Sequence, residues 1–230
     1  MDWISKYYGQ RSQRASNLRR PGKLKEIMRK AHYIMMFIAA LLLGCSSAPT
    51  SAPAPAAPLP PQMETGRFAF QKMLVAAHFW ASDAQAIQLA SVPLKDSNGH
   101  DGKATFWQAM FASPSRLKSK QFTWSGSSDP DTPRGVNHST DDTFNPANRS
   151  TQPFDLNFLK VDSDKAFEVA QQHGGKEMLA KKPAQQVIYL LDFDSRINQL
   201  KWHVIYGDSP GNAPLTVIVD ATTGIFVHKE

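Results

Sequence analysis

The chain has 230 residues and a hydrophobic content of 41%, with five Trp and 13 Phe, which excludes a wholly disordered protein. Its formal net charge of +6 suggests a polyanionic partner, but nine Lys and Arg precede Cys45, against two Asp and Glu. From Cys45 onward, 17 Lys and Arg stand against 18 Asp and Glu, so no nucleic-acid partner is expected. Cys45 is the sole cysteine, so no internal disulfide can form.

The leader, residues 1–44, has the order of a secretory signal. The basic pair Arg29–Lys30 precedes ten apolar residues, Ile34–Leu43, and Gly44 then supplies a small residue at the processing site. Ten apolar residues are too few to span a bilayer, which needs about 20. The leader therefore predicts export.

The tetrapeptide Leu42–Cys45 resembles the lipobox of bacterial lipoproteins, with an apolar pair, Gly44 and the obligatory Cys45. The resemblance implies diacylglyceryl transfer to the Cys45 thiolate, cleavage after Gly44, and acylation of the new amino terminus with a fatty acid such as palmitate. Two or more acyl chains give stable anchoring, whereas one gives marginal binding. The alternative is an ordinary signal peptide, or an anchor helix, with a buried cysteine nearby. Met28 opens a compact signal of its own, so we expect residues 1–27 to be absent in the cell.

Residues 45–65 start with that cysteine and continue as a tether rich in Pro, Ala and Ser. Such a composition gives a semi-extended spacer of about 3.1 Å per residue, although simple disorder would also hold the domain away from the membrane. Ser46 follows the cysteine, which resembles outer-membrane lipoproteins under enterobacterial sorting rules. The expected location is the bacterial cell envelope, anchored by lipid in the outer membrane and facing the periplasm.

Residues 66–125 are predicted to form a first half that combines a helix with strands. An apolar stripe at three- and four-residue steps indicates a helix between Arg67 and Ala84. Its members are Phe70, Met73, Leu74, Ala77 and Trp80, with Phe79 beside them. Apolar and aromatic runs bounded by turn residues indicate three strands, at Ile87–Leu94, Ala104–Ala112 and Lys120–Ser125.

Residues 126–159 are interpreted as a polar loop or linker, because turn formers dominate them and few side chains can be buried. The acidic residues of this loop are Asp129, Asp131, Asp141 and Asp142. Calcium could gather them, but the EF-hand spacing is missing, so a solvated loop is the simpler interpretation.

Residues 160–230 are predicted to repeat the helix-then-strands order. Ser163 is a suitable N-cap for a helix with Ala166, Phe167, Val169 and Ala170 on its buried face, and Gly174-Gly175 is a suitable stop. Strands are expected at Gln186–Phe193, Gln199–Tyr206, Leu215–Asp220 and Ile225–His228.

This second half resembles the PepSY family, whose motif joins a helix, a Trp-containing strand and a strand ending in Asp-x-x-x-Gly. The matching residues are Ala166, Ala170, Trp202, Asp220 and Gly224. The first half has Trp107 but lacks the Asp-x-x-x-Gly turn, so it is a weaker copy. The resemblance implies an α+β fold of two PepSY-like halves, each a helix packed on a small antiparallel sheet. Whether the halves share one sheet or form two lobes is left open.

The side chains that could carry chemistry form no recognisable set. The six histidines after the leader have no helical pairing and no cysteine partners, and no nucleophile signature occurs, so no catalytic residue, metal or cofactor is expected. Asp192 and Asp194 alternate along a strand like paired carboxylates, but two solvent-facing charges at a strand end is the simpler account.

Trp107, Trp124 and Trp202 are the best residues for an apolar binding surface, provided that they lie on an open face; the alternative is a core position. We therefore predict a non-catalytic binding or regulatory module at the envelope. The PepSY resemblance implies that it contacts, and inhibits, envelope peptidases. The alternatives are a small-ligand carrier with a cleft lined by Trp107 or Trp202, and an assembly or structural protein of the envelope.

Overall fold

The computed structural model describes residues 59–230. The predicted signal, the cleavage site between Gly44 and Cys45, and most of the tether lie outside the described residues, so these stay predictions. Within the described part, no helix is both long and apolar enough to cross a membrane.

Helices and strands follow one another in two similar series along the described chain. The helices are α1 (Gly66–Trp80), α2 (Ser163–Ala170) and α3 (Lys176–Lys181). The strands are β1 (Glu64–Thr65), β2 (Gln85–Ser91), β3 (Lys103–Ala104), β4 (Phe106–Ser113), β5 (Lys118–Ser125), β6 (Gly135–His138), β7 (Asp142–Thr143), β8 (Val187–Asp194), β9 (Gln199–Tyr206), β10 (Leu215–Asp220) and β11 (Phe226–Lys229).

Nine of these strands form one antiparallel sheet in the order β11-β10-β9-β8-β2-β4-β5-β6, with β7 beside β5. The first strands of the two series, β2 and β8, join through the pairs Leu89–Leu191 and Ala90–Leu190. The halves therefore share a continuous sheet, which answers the question that the sequence leaves open. The α+β class is confirmed.

Both helical regions pack on the same face of the sheet. The α1 helix buries Ala69, Phe70, Met73 and Ala77, which recur at three- and four-residue steps as predicted. The helix is shorter than predicted and ends at Trp80, because the chain turns there to enter β2.

The second helical region departs from its prediction at both ends. Asp162, rather than Ser163, is the N-cap, and its carboxylate accepts from the Ser163 N–H at 2.7 Å. Gly174 adopts a φ of 111°, which only glycine takes readily, so the chain kinks there. It does not stop as predicted, but continues into α3.

The region predicted as a loop, residues 126–159, contributes two strands to the sheet. All four residues of β6 and both of β7 are exposed, so they show no alternation of buried and exposed positions for a pattern to reveal. The other predicted strands are confirmed, with shifts of a few residues at most of their ends.

Candidate functional site

The three tryptophans predicted as a possible binding surface lie in the core, between helices and sheet. Trp107 and Trp202 are 0% exposed and Trp124 is 4% exposed. The rings of Trp107 and Trp202 meet edge to face, with centroids 6.5 Å apart. These residues offer no open surface, which corrects the binding role in favour of the core alternative.

Each of the two central tryptophans also ties a helix start to the sheet. Trp107 Nε1 donates to the Glu64 carbonyl at 2.9 Å, and Trp202 Nε1 donates to the Val161 carbonyl at 2.9 Å. These carbonyls lie two residues before the first residues of α1 and α2, Gly66 and Ser163. The same bond therefore occurs at the same place in both halves.

Gly66 closes the space between these rings. A Cβ added to Gly66 would lie 2.7 Å from Trp202 Cη2 and 3.0 Å from Trp107 Cη2, both far inside ordinary contact distance. The packing leaves no room for a ligand there, so the Trp-lined cleft on which the carrier alternative depends is not present at this position.

The place where the halves meet offers a different site, which we call the seam. The pairing between β2 and β8 is limited to two residue pairs, and the first residues of β2 do not reach β8. Residues 149–156 occupy that position, with the Phe154 N–H donating to the Ala86 carbonyl at 2.9 Å. The Phe154 ring stacks on Phe70 of α1, with centroids 6.2 Å apart. This segment fixes the seam to the core.

A charged cleft of about 450 Å³ opens at one end of this segment. The ionisable side chains in its lining are Arg149, Asp192, Asp194, Arg196 and Lys201. Arg196 holds the Asp194 carboxylate through two bonds, Nε at 3.0 Å and Nη2 at 2.9 Å, and Lys201 Nζ lies 3.4 Å away. These contacts, Arg196 foremost, hold the pKa of Asp194 well below its usual range, so the carboxylate stays ionised.

The two aspartates of this cleft do not act as a pair. Asp192 Oδ1 lies 2.9 Å from His203 Nε2, whereas Asp194 is bound by its own two cations. Each carboxylate thus has separate partners, and neither is arranged to share a proton with the other. The Asp194 side chain is only 13% accessible, so it is not the solvent-facing charge that the sequence suggested.

A second cleft, of about 430 Å³, lies at the other end of the segment. Its lining mixes the apolar side chains of Leu74, Ala84, Ala86, Phe154 and Leu156 with the polar Gln85 and Asp155. The seam therefore offers charged groups at one end and a mixed apolar and polar surface at the other. This combination suits non-covalent binding of a ligand that carries both kinds of group.

The remaining predicted polar residues are not brought together. Within residues 59–230, no group of three or more His, Cys, Asp and Glu side chains could hold a metal ion. Asp141 pairs with Lys120 at 2.7 Å, and His100 lies 2.7 Å from the Gln185 carbonyl. No pattern in the sequence marks residues 149–156 as part of a site; the one available sign is that Phe154 and Leu156 are large apolar residues directly after the polar run of residues 145–153.

No protein-family model matches the chain, and no curated protein matches it. The fold is similar to the crystal structure of a candidate lipoprotein from Clostridium difficile 630, with a TM-score of 0.48 and 14% identity. That similarity covers 70% of this chain and 91% of the other. A likeness of this degree is too weak to transfer a function, so the function rests on the residues of this chain.

Proposed function

We propose that this protein is a lipoprotein of the bacterial envelope, anchored through acylated Cys45, whose α+β domain is a non-catalytic binding module. The anchor is supported by the lipobox-like tetrapeptide, the preceding apolar run and the Pro-rich tether. The finer part of the proposal is that the domain consists of two PepSY-like halves.

The observation that carries the two-half proposal is the repeated tryptophan bond. In both halves, an indole N–H from the second long strand reaches a carbonyl just before the helix, at 2.9 Å. The strand order is also symmetric about the junction of β2 with β8. Two unrelated supersecondary structures would not be expected to have the same indole-to-carbonyl hydrogen bond at matching positions.

The Asp-x-x-x-Gly turn that suggests PepSY in the second half has a structural role. Asp220 Oδ1 accepts from the N–H groups of Thr222 and Thr223, both at 2.8 Å. Gly224 completes the turn with a φ of 75° and donates its N–H to the Asp220 carbonyl. The motif therefore supports the fold, and binding is better placed elsewhere, at the seam.

The seam is suited to a segment of polypeptide from a partner. Its charged cleft can take a carboxylate or a carbonyl on Arg149, and its second cleft can take an apolar side chain beside Leu156. The PepSY resemblance adds the partner class, an envelope peptidase, which the module would contact and inhibit.

The proposed anchor is tested by labelling cells with a radioactive fatty acid. We expect the full chain to take up label and to enter the detergent phase on phase separation, and Cys45→Ser to do neither. An unlabelled native chain would contradict the anchor.

The proposed binding is tested by cross-linking the protein in envelope fractions and by measuring peptidase activity there. We expect Arg149→Glu to lose both cross-linking and inhibition, because it reverses the charge of the cleft. Lys95→Glu is the matched control, since Lys95 is an exposed lysine outside the seam. A protein with no partner and no inhibition in any envelope fraction would contradict the proposal.

A further inference from the structure

The outer face of α1 carries a line of exposed apolar side chains. Phe68, Val75 and Phe79 are 36%, 59% and 88% exposed. Their spacing of seven and four residues places them on one side of the helix, with Lys72 between them. Phe68 also meets the core residue Trp124 edge to face, with centroids 6.4 Å apart. The exposure of Val75 and Phe79 has no such explanation within the fold.

Single exposed apolar residues are common, but this face extends along most of one helix. From Phe68 to Phe79 the helix rises by about 16 Å. The β4–β5 turn lies at the end of this helix, where Arg116 Nη1 donates to the Trp80 carbonyl at 2.7 Å. An apolar surface of this extent, rimmed by polar residues, indicates an interaction site.

The charged side chains of α1 itself are cationic. The α1 helix contains Arg67 and Lys72 and no acidic residue. Lys72 Nζ lies over the Phe68 ring, 4.8 Å from its centroid, so a positive charge forms part of this face. Residues 59–125 contain seven Lys and Arg against four Asp and Glu, whereas residues 126–230 contain ten against fourteen.

The tether enters the domain beside the same helix. Arg134 Nη1 donates to the carbonyls of Leu59 at 3.3 Å and Pro60 at 2.9 Å, and the Gln62 N–H donates to Gly126 at 2.8 Å. These bonds fix the chain just before α1 begins. Thirteen residues lie between Cys45 and Leu59, and the fourteen steps from one to the other can span at most about 50 Å. An anchor at Cys45 therefore leaves enough chain for α1 to reach the same lipid surface.

We propose that the outer face of α1, formed by Phe68, Lys72, Val75 and Phe79, docks on an anionic lipid surface. This inference rests on the proposed lipid anchor, which would hold the domain close to such a surface. Basic and aromatic residues on an exposed helix face are the features of helices that lie in the membrane interface. Docking would give the anchored domain a defined orientation on that surface.

The test uses the mature chain, residues 45–230, with Cys45→Ser, so that binding does not depend on acylation. We expect it to sediment with vesicles of phosphatidylethanolamine and phosphatidylglycerol, less so with vesicles of phosphatidylcholine alone, and less at high salt. Val75→Asp with Phe79→Asp should lower the vesicle-bound fraction at least about tenfold. Ile225→Asp, at a residue 65% exposed outside α1, is the matched control and should bind like the parent.

The double aspartate variant could lose binding because it misfolds, so a second, milder substitution is also tested. Phe79→Trp should retain binding, and its fluorescence should be quenched by brominated lipids, whereas Ile225→Trp should not be quenched. Failure of the parent to bind anionic vesicles would overturn the inference, as would unchanged binding of the double aspartate variant. A dimer in solution that the double variant dissociates would assign the face to a second copy. A native chain that takes up no fatty-acid label would contradict the anchor but not the docking of α1. The vesicle assay uses the Cys45→Ser chain, so its result does not depend on acylation.

Discussion

The two halves of the sheet hold their helices by the same contacts but differ in nearly everything around them. Trp107 and Trp202 make equivalent bonds to the starts of α1 and α2. In the second half the helical region kinks at Gly174, whereas α1 runs unbroken for 15 residues. The difference indicates that core packing constrains the contacts between helix and sheet in both halves. The outer surfaces are not constrained in this way and can differ in function.

The turns that close the third strand of each half show the same divergence. In the second half, Asp220 at the strand end supports its own turn. In the first half, Asp96 comes from the connection between β2 and β3. It accepts from Thr105 Oγ1 at 2.6 Å, Ser127 Oγ at 2.7 Å and the Ser128 N–H at 3.0 Å. A carboxylate is used in both places, but from different parts of the chain.

The largest effect is expected from removing the shared tryptophans. Trp107→Ala and Trp202→Ala should each lower the free energy of unfolding by about 3–5 kcal/mol, because each leaves a cavity beside the other ring. Urea denaturation followed by circular dichroism measures this. Ile197→Ala, at an exposed residue, should change little. If one substitution lowers the free energy of unfolding by much less than the other, the two tryptophans do not have equivalent roles in the two halves.

Much of the fold follows from patterns within the sequence. The apolar spacing of α1 and the runs that form β8, β9 and β10 were sufficient to predict these elements, because α1 buries one face and the strands bury most of their apolar residues. The edge strand β6 was missed because all four of its residues are exposed, so its pairing with β5 produces no alternation of buried and exposed positions. Hydrogen bonds between backbone groups do not require particular residue types, so an exposed edge strand has no characteristic sequence pattern.

The seam could not be predicted for a different reason. Arg149 and Arg196 are far apart in the chain, and they line one cleft only because β8 joins β2 rather than forming a separate lobe. Long-range pairing of this kind is not encoded in any local pattern. The tryptophans were prominent in the sequence for the opposite reason, since large aromatic side chains stand out whether they are buried or exposed.

A smaller effect is expected from the two turn carboxylates, and it depends on pH. Burial would raise the pKa of Asp96, but hydrogen bonds from Thr105, Ser127 and Ser128 outweigh it and lower the pKa. The pKa of Asp220 is likewise lowered, by Gln199 and the turn N–H groups, against the effect of burial. A lowered pKa in the folded state means that each carboxylate stabilises the fold above about pH 4, and that this contribution is lost as the pH falls below it.

Asp96→Asn and Asp220→Asn should therefore each cost about 1–3 kcal/mol at pH 7 and less at pH 3. Urea denaturation at the two pH values measures the difference. Asp208→Asn, at an exposed aspartate, should behave like the parent at both. If only Asp220→Asn shows a loss of stability that depends on pH, then Asp96 in the first half does not have the same role as Asp220 in the second.

The smallest of these effects concerns the first residues of the two helices, where Gly66 and Ser163 occupy matching positions. Ser163 Oγ accepts from the Gly66 N–H at 2.8 Å and donates to the Gly102 carbonyl at 2.6 Å, so both helix starts share one hydroxyl. Gly66→Ala would press a methyl group against the two indole rings.

We expect Gly66→Ala to destabilise the protein by about 1–2 kcal/mol, because overpacking outweighs the entropy gained by replacing a glycine. Gly211→Ala is the control: its Cβ meets no atom within 4 Å, so this change should be neutral or stabilising. Thermal unfolding of both variants measures the difference. A stabilised Gly66→Ala would mean that the rings can move apart, and the contact shared by the halves would then be adaptable rather than rigid.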